Sequence, residues 1–188
     1  MRALNVILYS CIVPLLCACA ANPESGSGKC AGRAGNQILV TFDKPGNVNL
    51  DEGIRYYPEC PDPDVKLDVY YPDLPWGNYE QCKVPCLIAI HGGGWSMGNE
   101  KKFAMMAAYM ASKGYVVACI SYRLWPEYDW DCALFDAKRA LAWLKKNASR
   151  YFGDPEKIGV VGGSSGGVMS VQLAATTGTF WSSDFFEG

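Results

Sequence analysis

The chain has 188 residues, 49% hydrophobic and 19% charged, with a formal net charge of -2. That balance supports a packed core and excludes a disordered chain, and the length suits one domain. With so small a net charge and no basic run, nothing favours a nucleic-acid partner or a basic membrane face.

At the N-terminus, Met1-Arg2 precedes an apolar stretch over residues 4–16 and then the small residues 17–21. Charge, apolar core and small residues in that order predict a secretory signal peptide over residues 1–20, cut after Ala20, and therefore an exported protein. A short anchor that is never removed is the alternative. Leu16-Cys17-Ala18-Cys19 also resembles a bacterial lipobox, whose cleavage leaves a lipid on Cys19. That lipid is the one membrane attachment expected. Residues 21–36, rich in Gly, Ser and Ala, read as a flexible linker, and residues 37–188 as the folded domain.

Nine cysteines are present, and Cys30, Cys60, Cys82, Cys86, Cys119 and Cys132 lie beyond any cleavage site. In an oxidising compartment such a set is able to form disulfides, with connectivity left open. Cys119 sits inside an apolar run and reads as a buried thiol. Cys82 and Cys86 are spaced for a metal, but without a histidine nearby the signal is weak and no metal is assigned.

Strand and helix patterns alternate from there. Short strands are expected at 38–42 and 54–57, and 65–71 alternates apolar and polar residues as a half-buried strand does. Residues 84–90 and 115–120 are continuous apolar runs, suited to strands covered on both faces. Asn99 is placed to cap a helix over 100–113, with Phe103, Met106 and Met110 on one face and Gly114 past its end. A second helix is expected over 132–146, capped by Asp131, with Ala133, Ala137, Ala140, Leu141 and Leu144 on its apolar face. Asp154-Pro155 turns the chain into a last strand at 158–161, and a third helix runs from the following serine pair to about Thr176. This order predicts an α/β fold: a mostly parallel sheet with helices on both faces.

Two glycine-rich motifs end strands, where open α/β sheets carry their sites. Gly162-Gly163-Ser164-Ser165-Gly166-Gly167 has the form of a nucleophile elbow, in which small residues two before and two after a serine clear a sharp strand-to-helix turn. Two registers fit, Ser164 or Ser165. Ser164 is favoured as the catalytic nucleophile because the strand then ends where the elbow begins. His91-Gly92-Gly93-Gly94-Trp95 is suited to an oxyanion hole, since glycines let backbone N–H groups face a substrate oxygen. The donors expected are Gly93, Gly94 and Ser165. His91, the only histidine, reads as a strut for that loop and not as a base. Trp95, Trp125, Tyr128 and Trp130 fit an acyl pocket or plain loop packing equally well.

From residue 65 to 176 the sequence resembles the α/β-hydrolase superfamily, nearest to hormone-sensitive-lipase-type esterases and their feruloyl-esterase-like relatives. The residues that carry the likeness include the two glycine motifs, Leu67-Asp68-Val69-Tyr70-Tyr71-Pro72, Ile120-Ser121-Tyr122-Arg123-Leu124 and the run from Asp136 to Leu144. The resemblance implies a small-molecule carboxylic ester as substrate, an acyl-enzyme on Ser164, and no cofactor. It also implies an acid and a base histidine after the nucleophile, and no histidine follows Gly167. The chain is therefore expected to be an N-terminal portion of such a hydrolase, with the C-terminal strands missing. A non-catalytic relative or binding protein is the alternative, and a serine peptidase a further one.

Overall fold

A computed structural model describes residues 46–73 and 83–176. The signal peptide, the linker, the strand expected at 38–42, Cys30, Cys82 and everything after residue 176 lie outside the described residues. Five strands form one sheet in the order β1-β2-β4-β3-β5. They are β1 (Val48–Ile54), β2 (Leu67–Pro72), β3 (Val84–Ile90), β4 (Val116–Ile120) and β5 (Gly153–Gly162). Strand β3 pairs in parallel with both β4 and β5, whereas β2 is antiparallel to β1 and β4. Only β2 runs against the rest. Helices α1 (Ala104–Ser112), α2 (Trp130–Asn147) and α3 (Ser165–Thr176) complete the fold.

Alternation along the strands sorts the core into two layers. Leu67, Val69, Cys86, Ile88, Ile90, Val116, Ala118, Ile120, Ile158 and Val160 point to one face and pack with the buried stripes of α2 and α3. The intervening Tyr70, Leu87, Ala89, Val117 and Cys119 point the other way, toward the face that α1 covers. All of β4 is buried, as a strand between two covered faces requires. On α2 the expected stripe is the buried one, and Leu144 and Leu173 are each at most 1% exposed. Burying one such leucine stabilises the fold by about 2 kcal/mol.

Several expectations need correction. The first described strand is Val48–Ile54, not 54–57. The chain leaves the sheet at Arg55, whose guanidinium holds the carbonyls of Pro58 and Cys60. Tyr56 turns inward, and its hydroxyl donates to the Ser121 carbonyl at 2.7 Å. Strand β2 is not half-buried: its polar residue Asp68 is 0% exposed and pairs with Lys101 at 2.7 Å. Burial pushes the Asp68 carboxyl above its ordinary pKa, although the Lys101 and Gly53 hydrogen bonds pull it back.

The helix expected over 100–113 is a 3-10 turn at Glu100–Phe103 followed by α1. Asn99 does cap it, its Oδ1 accepting from Lys101 N–H at 3.1 Å, and Gly114 follows with φ +87°. The buried stripe of α1 is Ala107, Ala108 and Ala111, with Met106 and Met110 on its shoulders. Alanines win because a helix lying close over a sheet has room only for small side chains. Helix α2 begins at Trp130, with Asp129 and not Asp131 at its N-cap. The Asp154 turn is a bulge inside β5, where Asp154 Oδ1 accepts from Glu156 N–H and the register against β3 shifts. Cys60, Cys86, Cys119 and Cys132 are free thiols, so no disulfide links them among the described residues. Burial pushes Cys86 up to about 12, too high for a reactive thiolate.

Candidate active site

Neighbouring parallel strands β3 and β5 end in register, Ile90 beside Gly162. The loop after β3 and the turn after β5 therefore start side by side, joined by Gly163 N–H to the Ile90 carbonyl at 3.4 Å. At the turn Ser164 has φ +52° and is exposed. A left-handed conformation costs a non-glycine residue about 1–2 kcal/mol. It persists only where the surroundings enforce it.

The enforcement is steric. A Cβ on Gly162 would lie 2.2 Å from the Gly166 carbonyl oxygen, and one on Gly166 would lie 2.1 Å from that of Ile90. A Cβ on Gly163 meets only Phe103 Cζ at 3.4 Å, and one on Gly167 meets the Gly162 oxygen at 3.3 Å. The strict need for glycine thus falls on the two positions that flank Ser164. Ser165 opens α3, is 4% exposed, and its Oγ accepts from Gly93 N–H at 3.1 Å. As the first helical residue its own N–H has no carbonyl four back within the helix. The start of α3 also presents the positive end of the helix dipole beside Ser164.

The loop after His91 doubles back sharply. Gly93, Gly94, Trp95 and Gly98 all have positive φ, and a Cβ on Gly93 would lie 1.8 Å from the Met97 carbonyl oxygen. A Cβ on Gly92 would lie 2.4 Å from the Gly163 oxygen, so this loop and the elbow touch backbone to backbone. Of the three expected donors, Gly93 already gives its N–H to Ser165 Oγ, an engagement that spacing alone did not foretell. A substrate oxygen there would share or displace that bond.

His91 is 1% exposed, stacks on the Tyr122 ring at 4.2 Å, and gives its Nδ1–H to the Gly92 carbonyl at 3.2 Å. Its Nε2 is buried without a partner among the described residues. Burial, with a lesser push from Lys102, lowers its pKa to about 4. A ring so placed stays neutral and makes no contact with the Ser164 hydroxyl among the bonds the structure shows.

Four residues that sequence reasoning gave no role hold the site from below: Ser121, Tyr122, Arg123 and Lys102. Tyr122 donates its hydroxyl to the His91 carbonyl at 2.9 Å. Arg123 makes a two-pronged pair with Asp136, at 2.8 Å for Nη2–Oδ1 and 2.9 Å for Nε–Oδ2, and Asp136 also takes the Arg123 N–H. That pairing raises the Arg123 pKa above its ordinary value. Ser121 bonds the buried Glu100, tying β4 to the turn before α1. Lys102 donates to the Gly92 carbonyl at 3.0 Å. A Ser-Tyr-Arg run at a strand end was the available signal for the first set; nothing in the sequence marks Lys102.

Of the four aromatic residues, Trp95 packs against the core and Tyr128 lies under the Arg123 guanidinium at 5.4 Å. Trp125 and Trp130 are 57% and 59% exposed, and Trp125 N–H donates to the Trp95 carbonyl at 2.8 Å. Among the described residues no cluster of three His, Cys, Asp or Glu is disposed to hold a metal, and no helix is long and apolar enough to cross a membrane.

Comparison with known proteins gives a consistent set. The BD-FAE family matches residues 67–185. A probable carboxylic ester hydrolase of Mycobacterium tuberculosis, LipM, is 43% identical over 94 residues, 50% of this chain and 22% of that protein. The carboxylesterase NlhH of the same species is 34% identical over 112 residues, 59% of this chain and 34% of that one. Among solved structures, esterase B of Lactobacillus rhamnosis superposes with a TM-score of 0.62 at 30% identity, covering 70% of this chain and 41% of that one. A bacterial heroin esterase gives 0.58 at 31% identity, covering 68% and 39%. The chain thus spans between about a fifth and two fifths of these proteins. Its architecture is that of the N-terminal portion of an α/β-hydrolase.

Proposed function

We infer the activity from a premise that the match over residues 67–185 establishes: the chain belongs to the BD-FAE family. The protein that carries these residues is an exported serine carboxylesterase acting on a small carboxylic ester. The observation that supports this most is the strained, exposed Ser164, set between two obligatory glycines and beside a loop of glycine N–H donors.

Ser164 Oγ attacks the ester carbonyl carbon while its proton passes to a base. The carbonyl π electrons move to the oxygen, which faces Gly93, Gly94 and the Ser165 N–H at the start of α3. Collapse expels the alcohol, which takes the proton, and leaves an acyl-Ser164 that water then cleaves. Donors of this kind act because they are already aimed where charge develops, and one of them contributes on the order of 10²–10³ in rate.

The base is not His91. A neutral ring with a pKa about 4, stacked in the core, neither reaches Ser164 nor binds its proton well at neutral pH. With His91 the only histidine, the acid and base of the triad are proposed to come from outside these 188 residues. Residues 21–188 expressed alone are then expected to turn over very little, because loss of the base removes several orders of magnitude. Release by cleavage after Ala20, or a lipid on Cys19, is distinguished by the mass of the mature N-terminal peptide.

Ester hydrolysis is tested on the mature protein purified from its native source, with an activated short-chain acyl ester. Ser164→Ala is expected to lower kcat by a factor on the order of 10³ or more. Equal rates for wild type and Ser164→Ala, or no hydrolysis by either, would overturn the esterase and leave a non-catalytic member of the family.

A further inference from the structure

The peptide unit that joins Gly92 to Gly93 is held from both ends. Its N–H, on Gly93, points to Ser165 Oγ at 3.1 Å, on the elbow side. Its carbonyl, on Gly92, points away and receives two donors, His91 Nδ1 at 3.2 Å and Lys102 Nζ at 3.0 Å. A trans peptide is planar with its C=O and N–H opposed, so whatever fixes the carbonyl also aims the N–H. This unit needs fixing. It lies between two glycines, the residues with the widest backbone freedom, and Gly93 sits at φ +148°.

Two adjacent lysines in the turn Glu100–Phe103 separate their tasks. Lys101 reaches back to Asp68 and Glu52. Lys102 reaches the other way, to the Gly92 carbonyl, and forms no ion pair among the described residues. No acid among the described residues offsets its charge, which pushes the His91 pKa down. An ammonium on a carbonyl oxygen is a charge-assisted bond, about twice as strong as a neutral one. It also withdraws electrons through the amide, which makes the N–H at the far end a better donor.

We propose that Lys102 is a positioning residue for ester hydrolysis: from outside the active site it pins and polarises the Gly92–Gly93 peptide, so that the Gly93 N–H is aimed and strengthened for the transition-state oxyanion. This rests on the esterase function inferred above. Lys102 touches no substrate. It acts through a peptide that does, so its removal raises the barrier without weakening ground-state binding.

The test compares wild type, Lys102→Met, Lys102→Arg and the charge control Lys113→Met, all in the mature full-length protein. For an activated ester, Lys102→Met is expected to lower kcat about tenfold with KM unchanged, less than loss of a direct donor. Lys102→Arg restores most of it, and Lys113→Met, at the exposed end of α1, stays at the wild-type rate. An unchanged kcat in Lys102→Met, a loss confined to KM, or a loss that Lys102→Arg does not recover would overturn the role.

The Gly93 amide gives a readout that needs no turnover. In Lys102→Met its proton resonance should move upfield and exchange with solvent faster, while Lys102→Arg keeps both near wild type. If no variant hydrolyses esters, the esterase inference fails by itself, and the Gly93 resonance still decides whether Lys102 grips this peptide. An unmoved Gly93 amide in Lys102→Met would overturn the grip.

Discussion

The two loops that meet at the site are fixed by different means. The elbow after β5 is held by backbone against backbone alone: Gly162 and Gly166 each leave no space for a Cβ. The loop after β3 has main-chain packing too, at Gly92 and Gly93, and side chains add to it: Lys102 and His91 bond the Gly92 carbonyl and Tyr122 the His91 carbonyl. Packing of main chain is all-or-none, because neither partner has a rotamer by which to retreat. Side-chain bonds are graded, since each one lost costs only its own share. Ser164 is thus positioned by main chain alone, whereas the peptide between Gly92 and Gly93 also answers to single side chains.

The sharpest way to break that contrast is to add single methyl groups to the elbow. Gly166→Ala drives a Cβ to within 2.1 Å of the Ile90 carbonyl oxygen, and Gly162→Ala to within 2.2 Å of that of Gly166. Both are expected to abolish soluble, folded protein, as judged by circular dichroism and urea unfolding. Gly163→Ala and Gly167→Ala meet atoms only at 3.4 and 3.3 Å and are expected to fold with a change within about 1 kcal/mol. If the tolerant and intolerant pairs were reversed, the elbow would be centred on Ser165.

Next in size is the pair beneath the loops. Arg123→Met leaves the Asp136 carboxylate, 0% exposed, without its two-pronged partner. Stranding a buried charge costs about 3–5 kcal/mol. Urea titration that showed less than about 1 kcal/mol would mean that Arg123 is not what holds Asp136 in the core.

The pH response is graded in the same way. His91 has an ordinary pKa near 6.5 when unfolded and about 4 when folded. Between those values the unfolded chain binds a proton that the folded chain does not. Stability is therefore full above about pH 6.5 and falls as pH drops toward 4, by about 3 kcal/mol in all. His91 is the only histidine of these 188 residues, its imidazole resonance is identified by its loss in His91→Gln, and that ring should remain neutral at pH 5.5. A titration centred near 6.5 would place His91 in water and undo its role as a strut.

What the sequence made legible follows the same division. Strands β3 and β4, the stripe of α2 and the elbow announce themselves through local pattern: apolar runs, a 3.6-residue period, and glycines at fixed spacing. Strand β1 did not, because Val48–Ile54 carries Asn, Asp, Glu and Gly and depends on pairing with β2. Asp68 alternates like a surface residue, and its burial is made tolerable by partners remote in sequence, Lys101 33 positions on and the Gly53 N–H 15 positions back. For the same reason Lys102 was silent, and the Ser-Tyr-Arg run marked Arg123 without naming Asp136 as its partner: no spacing rule joins these residues. Even Gly93, correctly placed in the loop, gave no hint that its N–H is already bonded to Ser165.

One measurement bears most directly on the whole account: exposure of the mature native protein to a fluorophosphonate, followed by tandem mass spectrometry of the elbow peptide. The attack of a serine oxygen on phosphorus expels fluoride and leaves a stable ester on whichever hydroxyl is activated. A single adduct on Ser164 is the predicted result. An adduct on Ser165, or none on protein that hydrolyses esters, would contradict it.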